Sequence, residues 1–288
     1  MHWSPWKFVS VLILTAGLAP AAAPDLSEAR KLYHSTEFER SLRVLQAVPD
    51  KTAEVWELIG LNFYMQTQYK KSTDALEKAG ALEPANAEIA LWLGRAWGRR
   101  AETSMPLTAF VYAIRTRQYF EKSVRLNPGS LEAQSDLLEY YIEAPGFLGG
   151  GFDKAEATAA KIGTINPAEG QWAEAHIADY RKDAGGAESH FRRAVELAPH
   201  EVGRVLDLAR FLARQGRYKE ADENFEHARQ LEPNSPKVVF AEAESYVKAR
   251  RNLESARELL KRYMSMNLNA EDTPRSEAAK LLREAQGG

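Results

Sequence analysis

Six histidines, forty carboxylates and one glycine-rich stretch are the residues with which this chain could do chemistry. The histidines are His2, His34, His176, His190, His200 and His227. None falls in an HExxH pair, and none has metal-ligand or Ser/Asp neighbours at a diagnostic spacing. Cysteine is absent, which excludes disulfides, thiolate metal sites, a cysteine nucleophile and a lipid-modified cysteine. The stretch Gly146, Phe147, Leu148, Gly149, Gly150, Gly151 invites comparison with a phosphate loop. Such a loop ends in Gly-Lys-Ser/Thr so that the lysine reaches the phosphates. Here Phe152, Asp153 and Lys154 follow, and Asp153 suits the cap of a following helix instead. Neither G-x-S-x-G nor a dinucleotide fingerprint occurs, and no carboxylate spacing marks an acid/base pair. The expectation is a protein without catalytic residues, metal or cofactor, and so not an enzyme.

One cluster stands out on spacing. Trp172, His176 and Tyr180 lie one helical turn apart and share a helix face. Two readings stand: the three side chains pack inside the fold, or they form a small aromatic and imidazole platform for a peptide or apolar ligand.

The elements that would position these residues must be soluble helices. Hydrophobic content of 44% with 27% charge is ordinary for a soluble protein. Net charge is -2, from 38 basic and 40 acidic residues, without the basic excess that nucleic-acid binding needs. The N-terminus differs from the rest. Lys7 precedes an apolar run from Phe8 to Leu18, and small residues through Ala23 follow. That is the pattern of a secretory signal peptide over residues 1–21, with cleavage near Ala21 to Ala23. The run falls short of the roughly 20 apolar residues a bilayer span needs. The expectation is a secreted or periplasmic chain with no integral membrane span after processing.

Six prolines, Pro49, Pro84, Pro128, Pro167, Pro199 and Pro233, punctuate the remainder. Pro199 and Pro233 stand 34 residues apart, and the same phase precedes both: Ala187, Phe191, Ala194, then Ala221, Phe225, Ala228. Ser72, Leu76, Ala79 precede Pro84, and Thr116, Phe120, Ser123 precede Pro128. Each unit reads as two amphipathic helices, and a proline that cannot continue the second helix stops it. Trp56, Ile59, Gly60 and Phe63, then Tyr69, Leu76, Ala79 and Pro84, resemble the tetratricopeptide repeat pattern. Leu208, Ala209, Leu212, Gly216, Tyr218, Ala221, Phe225, Ala228 and Pro233 repeat the match. The resemblance covers residues 26–285. It implies an all-α fold, a right-handed α-solenoid of about seven helix pairs, with a C-terminal capping helix from Ser276 to Ala285. Small residues at Gly60, Gly94, Ala175 and Ala209 would let paired helices approach closely.

The period stretches twice. Pro84 to Pro128 spans 44 residues and Pro128 to Pro167 spans 39. The extra residues are expected between the two helices of units three and four, around Arg99 to Leu107 and Ala144 to Gly151. The second insertion is similar to those of exported bacterial repeat proteins. Inter-helix insertions map to one edge of a solenoid, which makes Met105, Phe110, Phe147 and Leu148 candidate anchors. The resemblance also assigns a groove face. It holds Arg95, Arg99, Glu139, Trp172, His176, Tyr180, Arg210 and Arg214, with acidic residues in the middle units and basic ones later. The early helix has Glu57 and Leu61 where a chaperone-tail clamp needs Lys and Asn, so that role is excluded. The function implied is a scaffold that binds a protein or peptide partner; the alternatives are a solute receptor using a closed helical groove and, third, an enzyme with no recognisable motif. The sequence fixes neither the partner nor the oligomeric state.

Overall fold

The computed structural model describes residues 25–287; the apolar N-terminal stretch and its expected cleavage site lie outside the described residues. Among the described residues there are fifteen α-helices and no strand. Fourteen of them form seven successive hairpins. The first helices of the hairpins are α1 (Ser27–His34), α3 (Ala53–Met65), α5 (Ala87–Glu102), α7 (Leu131–Glu143), α9 (Pro167–Tyr180), α11 (Val202–Arg214) and α13 (Pro236–Lys248). Their partners are α2 (Phe38–Gln46), α4 (Tyr69–Leu82), α6 (Pro106–Leu126), α8 (Phe152–Ile165), α10 (Ala184–Leu197), α12 (Tyr218–Leu231) and α14 (Leu253–Ser265). A closing helix, α15 (Arg275–Gln286), covers the end of the stack, one residue longer at each end than its sequence pattern suggests. Its buried Ala278 and Ala285 join the core built by α13 and α14.

The sequence pattern explains the hairpins. Thr52, Asn86, Ser130, Asn166 and Asp183 accept hydrogen bonds from the first free N–H groups of the helices they precede. Five of the seven turns share one geometry. Thr36, Thr67, Lys182, Gly216 and Arg250 take positive φ values of 50–75°. The next residue then donates its N–H to a carbonyl five residues back, as Gln68 does to Phe63 and Arg217 to Leu212. Only units three and four abandon this turn, and those are the units where the period stretches.

Within a hairpin, helices touch through the small residues picked out by phase. A methyl group on Gly60 would lie 2.5 Å from Leu76 Cγ, and one on Gly94 would lie 2.3 Å from Phe120 Cδ1. Leu76, Phe191 and Phe225 occupy equivalent positions and are buried, as Phe120 is.

Three sequence expectations are corrected. The extra residues of unit three are helix, not loop: Arg99 to Glu102 continue α5, and only Thr103 to Met105 turn the chain. Arg, Ala and Glu are strong helix formers, and Pro106 is preorganised for the first helical position. Asp153 lies within the first turn of α8, whereas Gly151 at φ +147° holds the cap position. Pro167 opens α9 and leaves Asn166 as the sole link to α8.

Candidate binding groove

The first helices of successive hairpins carry a ladder of ion pairs. Arg95 on α5 reaches Glu132 (2.7 Å) and Asp136 (2.6 Å) on α7. Arg204 on α11 reaches Glu169 on α9 at 3.3 Å, and Arg214 reaches Asp179 at 2.6 Å. Arg210 continues towards Glu244 on α13, at 3.9 Å. The expected gradient from acidic to basic is therefore an interleaved network, because Arg95, Arg204, Arg210 and Arg214 each reach a carboxylate on the neighbouring unit. Arg95 and Arg204 also stack on Trp92 and Trp172, with the guanidinium carbons 4.8 and 5.0 Å from the ring centroids.

Trp172 and His176 touch at 4.5 Å between ring centroids, and His176 meets Phe191 edge-on. Trp172 is buried, and burial holds the His176 imidazole below its usual pKa and so neutral. Tyr180 is exposed, leaning on Phe152 at 6.1 Å. The three residues share a face as the spacing requires, but the first two are packing residues beneath Arg204 and form no open platform.

A cleft of about 480 Å³ opens instead between α5, α6 and α7. Arg95, Arg99, Glu139 and Leu148 from the sequence candidates line it, together with Tyr64, Asp136, Tyr140 and Glu143. Arg99 is held by Glu102 and by the Tyr69 hydroxyl, 3.2 Å from its Nε. Glu139 and Glu143 have no cationic partner among the described residues. Glu139 reaches water at the mouth, yet concave walls crowd it. Lost hydration, then the charges of Asp136 and Glu143, push its carboxyl up to about 7. Burial raises Glu143 as well.

The glycine-rich insertion forms one wall. A short 3-10 turn at Gly146–Leu148 is pinned where Tyr140 donates to the Leu148 carbonyl (2.9 Å) and Lys154 to that of Gly149 (2.7 Å). Gly149 lies under the Arg117 side chain at φ +89°, a conformation that strains any residue with a Cβ. Phe147 points outward and meets Phe110 of α6, ring centroids 5.7 Å apart, so the two stretched units do touch. Met105, just before α6, and Phe110 within it stand exposed. Arg210 and Arg214 lie apart from this cleft, in a second one of about 550 Å³ with Tyr218 and Lys248.

A larger concavity of about 1010 Å³ shares Tyr64, Arg95 and Arg99 with the cleft and runs to residues 270–280. That segment returns to the first hairpin. Ala270 packs on its apolar cluster, and Arg275 donates to Thr36 Oγ1 at 3.5 Å. Sequence phase gave no sign of this return, nor of Tyr64, Asp136 and Tyr140 as cleft walls, since those contacts join different units. Among the described residues no group of three His, Asp or Glu side chains is placed to hold a metal, and no helix is long and apolar enough to cross a membrane.

Hairpins of this length, stacked with small residues at their crossings, define an α-solenoid of the tetratricopeptide type. Residues 212–284 match the tetratricopeptide repeat family, so the family signature itself rests on the C-terminal hairpins. The fold is similar to that of a tetratricopeptide repeat protein from Parabacteroides merdae, with a TM-score of 0.56 at 14% identity, covering 87% of this chain and 91% of the other. It is also similar to a chain of the APC/C hetero-tetramer Cut9–Hcn1, with a TM-score of 0.50 at 14% identity, covering 89% of this chain and 48% of that one. No curated protein matches by sequence.

Proposed function

We propose that this protein is a non-catalytic scaffold that binds an extended segment of a partner protein in the concave groove, and that it works in the periplasm or outside the cell. The carrying observation is the cleft between α5 and α7. Most groove carboxylates are neutralised by the ladder, but Glu139 and Glu143 are not, and they stand beside Tyr64, Tyr140 and Leu148. Two unpaired carboxylates with aromatic and apolar walls suit a lysine or arginine side chain, whose apolar stem and charged tip need both. One fold neighbour is by its name part of a hetero-tetramer, in keeping with an assembly role. The leader pattern at residues 1–21 supports export.

Selection from a random peptide display library tests the reading. Enriched peptides should carry a basic residue at a fixed position and should lose affinity for Glu139→Lys. Their binding should strengthen as pH rises through about 7, where Glu139 gains its charge. Peptides that bind the variant equally would overturn it. A second reading, a small-molecule receptor, draws on the return of residues 270–280 to the first hairpin, which bounds the larger concavity. A thermal-shift screen of small solutes separates the two, since only a receptor would show a saturable rise in melting temperature.

A further inference from the structure

The first seven residues of α6 have no counterpart in the other second helices. Phe120 aligns with Leu76, Phe191 and Phe225, each seven residues after the start of a 14-residue helix. By that register α6 should begin at Ala113, yet it begins at Pro106 and runs for 21 residues. Seven added residues lengthen the helix by roughly 10 Å at this edge, and Tyr112 among them still packs on Trp97 of α5. This extension is apolar on its free face. Leu107, Phe110, Val111 and Ile114 fall at i, i+3, i+4 and i+7, and are 85%, 41%, 53% and 38% exposed. Met105 at the tip is 78% exposed, and Phe147, in contact with Phe110, is 74% exposed. Single exposed apolar residues are ordinary; a contiguous set of six is not.

Charge around the patch selects the occupant. No Asp or Glu occurs from Thr103 to Phe120. Arg115 is paired with Glu77 (3.1 Å) and Arg117 with Glu121 (3.8 Å). The free positive charge therefore lies further along the helix, on Lys122 and Arg125, neither in an ion pair among the described residues. The 144–152 insertion has no charge at all. We propose that this edge is a membrane-docking tip: the α6 extension and Phe147 enter the interfacial layer of an anionic lipid bilayer, with the basic residues behind them at the headgroups. Interfacial helices bury their apolar face roughly 5–10 Å deep, a depth the exposed face of Leu107, Phe110 and Val111 can supply, and basic residues beside an apolar face draw it to anionic lipid. A protein partner, a second copy included, would have to offer an acid-rimmed apolar cleft to these residues, and that outcome is kept in the test.

Vesicle flotation tests it. The protein is isolated from the soluble fraction and its N-terminus defined by mass spectrometry. It is then mixed with vesicles of phosphatidylcholine alone or with phosphatidylglycerol. Flotation with the anionic vesicles is expected, weakened by salt. Leu107→Ser/Phe110→Ser should reduce partitioning by about tenfold or more with helicity unchanged, given the apolar area withdrawn. Phe147→Ser, outside any helix, should lower it independently. Equal flotation of wild type and both variants would overturn the proposal. So would failure of the wild type to float, and so would a wild-type dimer that the variants convert to monomer, which would assign the patch to a second copy.

Discussion

Replacing Gly94 by alanine places one methyl group against the ring of Phe120. The new carbon would stand 2.3 Å from Cδ1 and 2.5 Å from Cε1, against about 3.5–4.0 Å for carbon atoms in contact. The ring must retreat by more than roughly 1 Å, and it is buried against the core of the middle hairpins. Overpacking of that kind costs about 1–3 kcal/mol. Alanine returns about 0.5–1 kcal/mol of backbone entropy within the helix. The net is a loss of up to roughly 2.5 kcal/mol, centred near 1, or a fall of a few degrees in melting temperature. Gly98, one turn later on the same helix, is the control. A methyl there meets only Thr116 Cγ2, at an ordinary 3.5 Å. Gly98→Ala should keep the entropic gain and melt slightly higher. Thermal melts followed by circular dichroism read both. Equal shifts of the same sign would refute the assignment of Gly94 to the α5–α6 crossing.

Other outcomes follow from the same contacts. Thr67 is a β-branched residue at φ 59°, so Thr67→Gly should stabilise by up to about 1 kcal/mol in chemical denaturation. Glu57 is half-buried, and burial, reinforced by the charge of Glu88, pushes its carboxyl up to about 7 from 4.5. Between those values the folded state holds a proton that the unfolded chain releases, so stability falls as pH rises through that window. Glu57→Gln should therefore raise the melting temperature above pH 7 and leave it unchanged near pH 4.

Much of the fold was legible because each repeat states its own geometry. Gly60 and Gly94 fall one period apart, and the residues facing them, Leu76 and Phe120, each stand about eight residues before a proline, Pro84 and Pro128. The hairpin count and the closing helix follow from that local pattern. Unit three misled because extra residues usually mean extra loop. Here Arg99 to Glu102 and Pro106 to Tyr112 hold helix-compatible residues that simply prolong what they adjoin. The groove was less legible, since facing a neighbour and being free to bind look alike in one sequence. Arg214 read as an available cation, but its carboxylate, Asp179, sits one unit away, at a separation no repeat phase reveals; Arg210 has Asp207 three residues before it on the same helix as well as Glu244 on the next unit. Trp172 shared its face with Tyr180 correctly and was still covered by Arg204 from the next hairpin.

The central claim is that the cleft between α5 and α7 receives the partner. Hydrogen–deuterium exchange on the protein, with and without a peptide from the display selection, tests it most directly. Slowed exchange should concentrate in the last turns of α5 and α7 and in residues 144–148, beside Arg99, Glu139 and Leu148. Protection confined to the second helices of the hairpins, with those segments unchanged, would contradict the account.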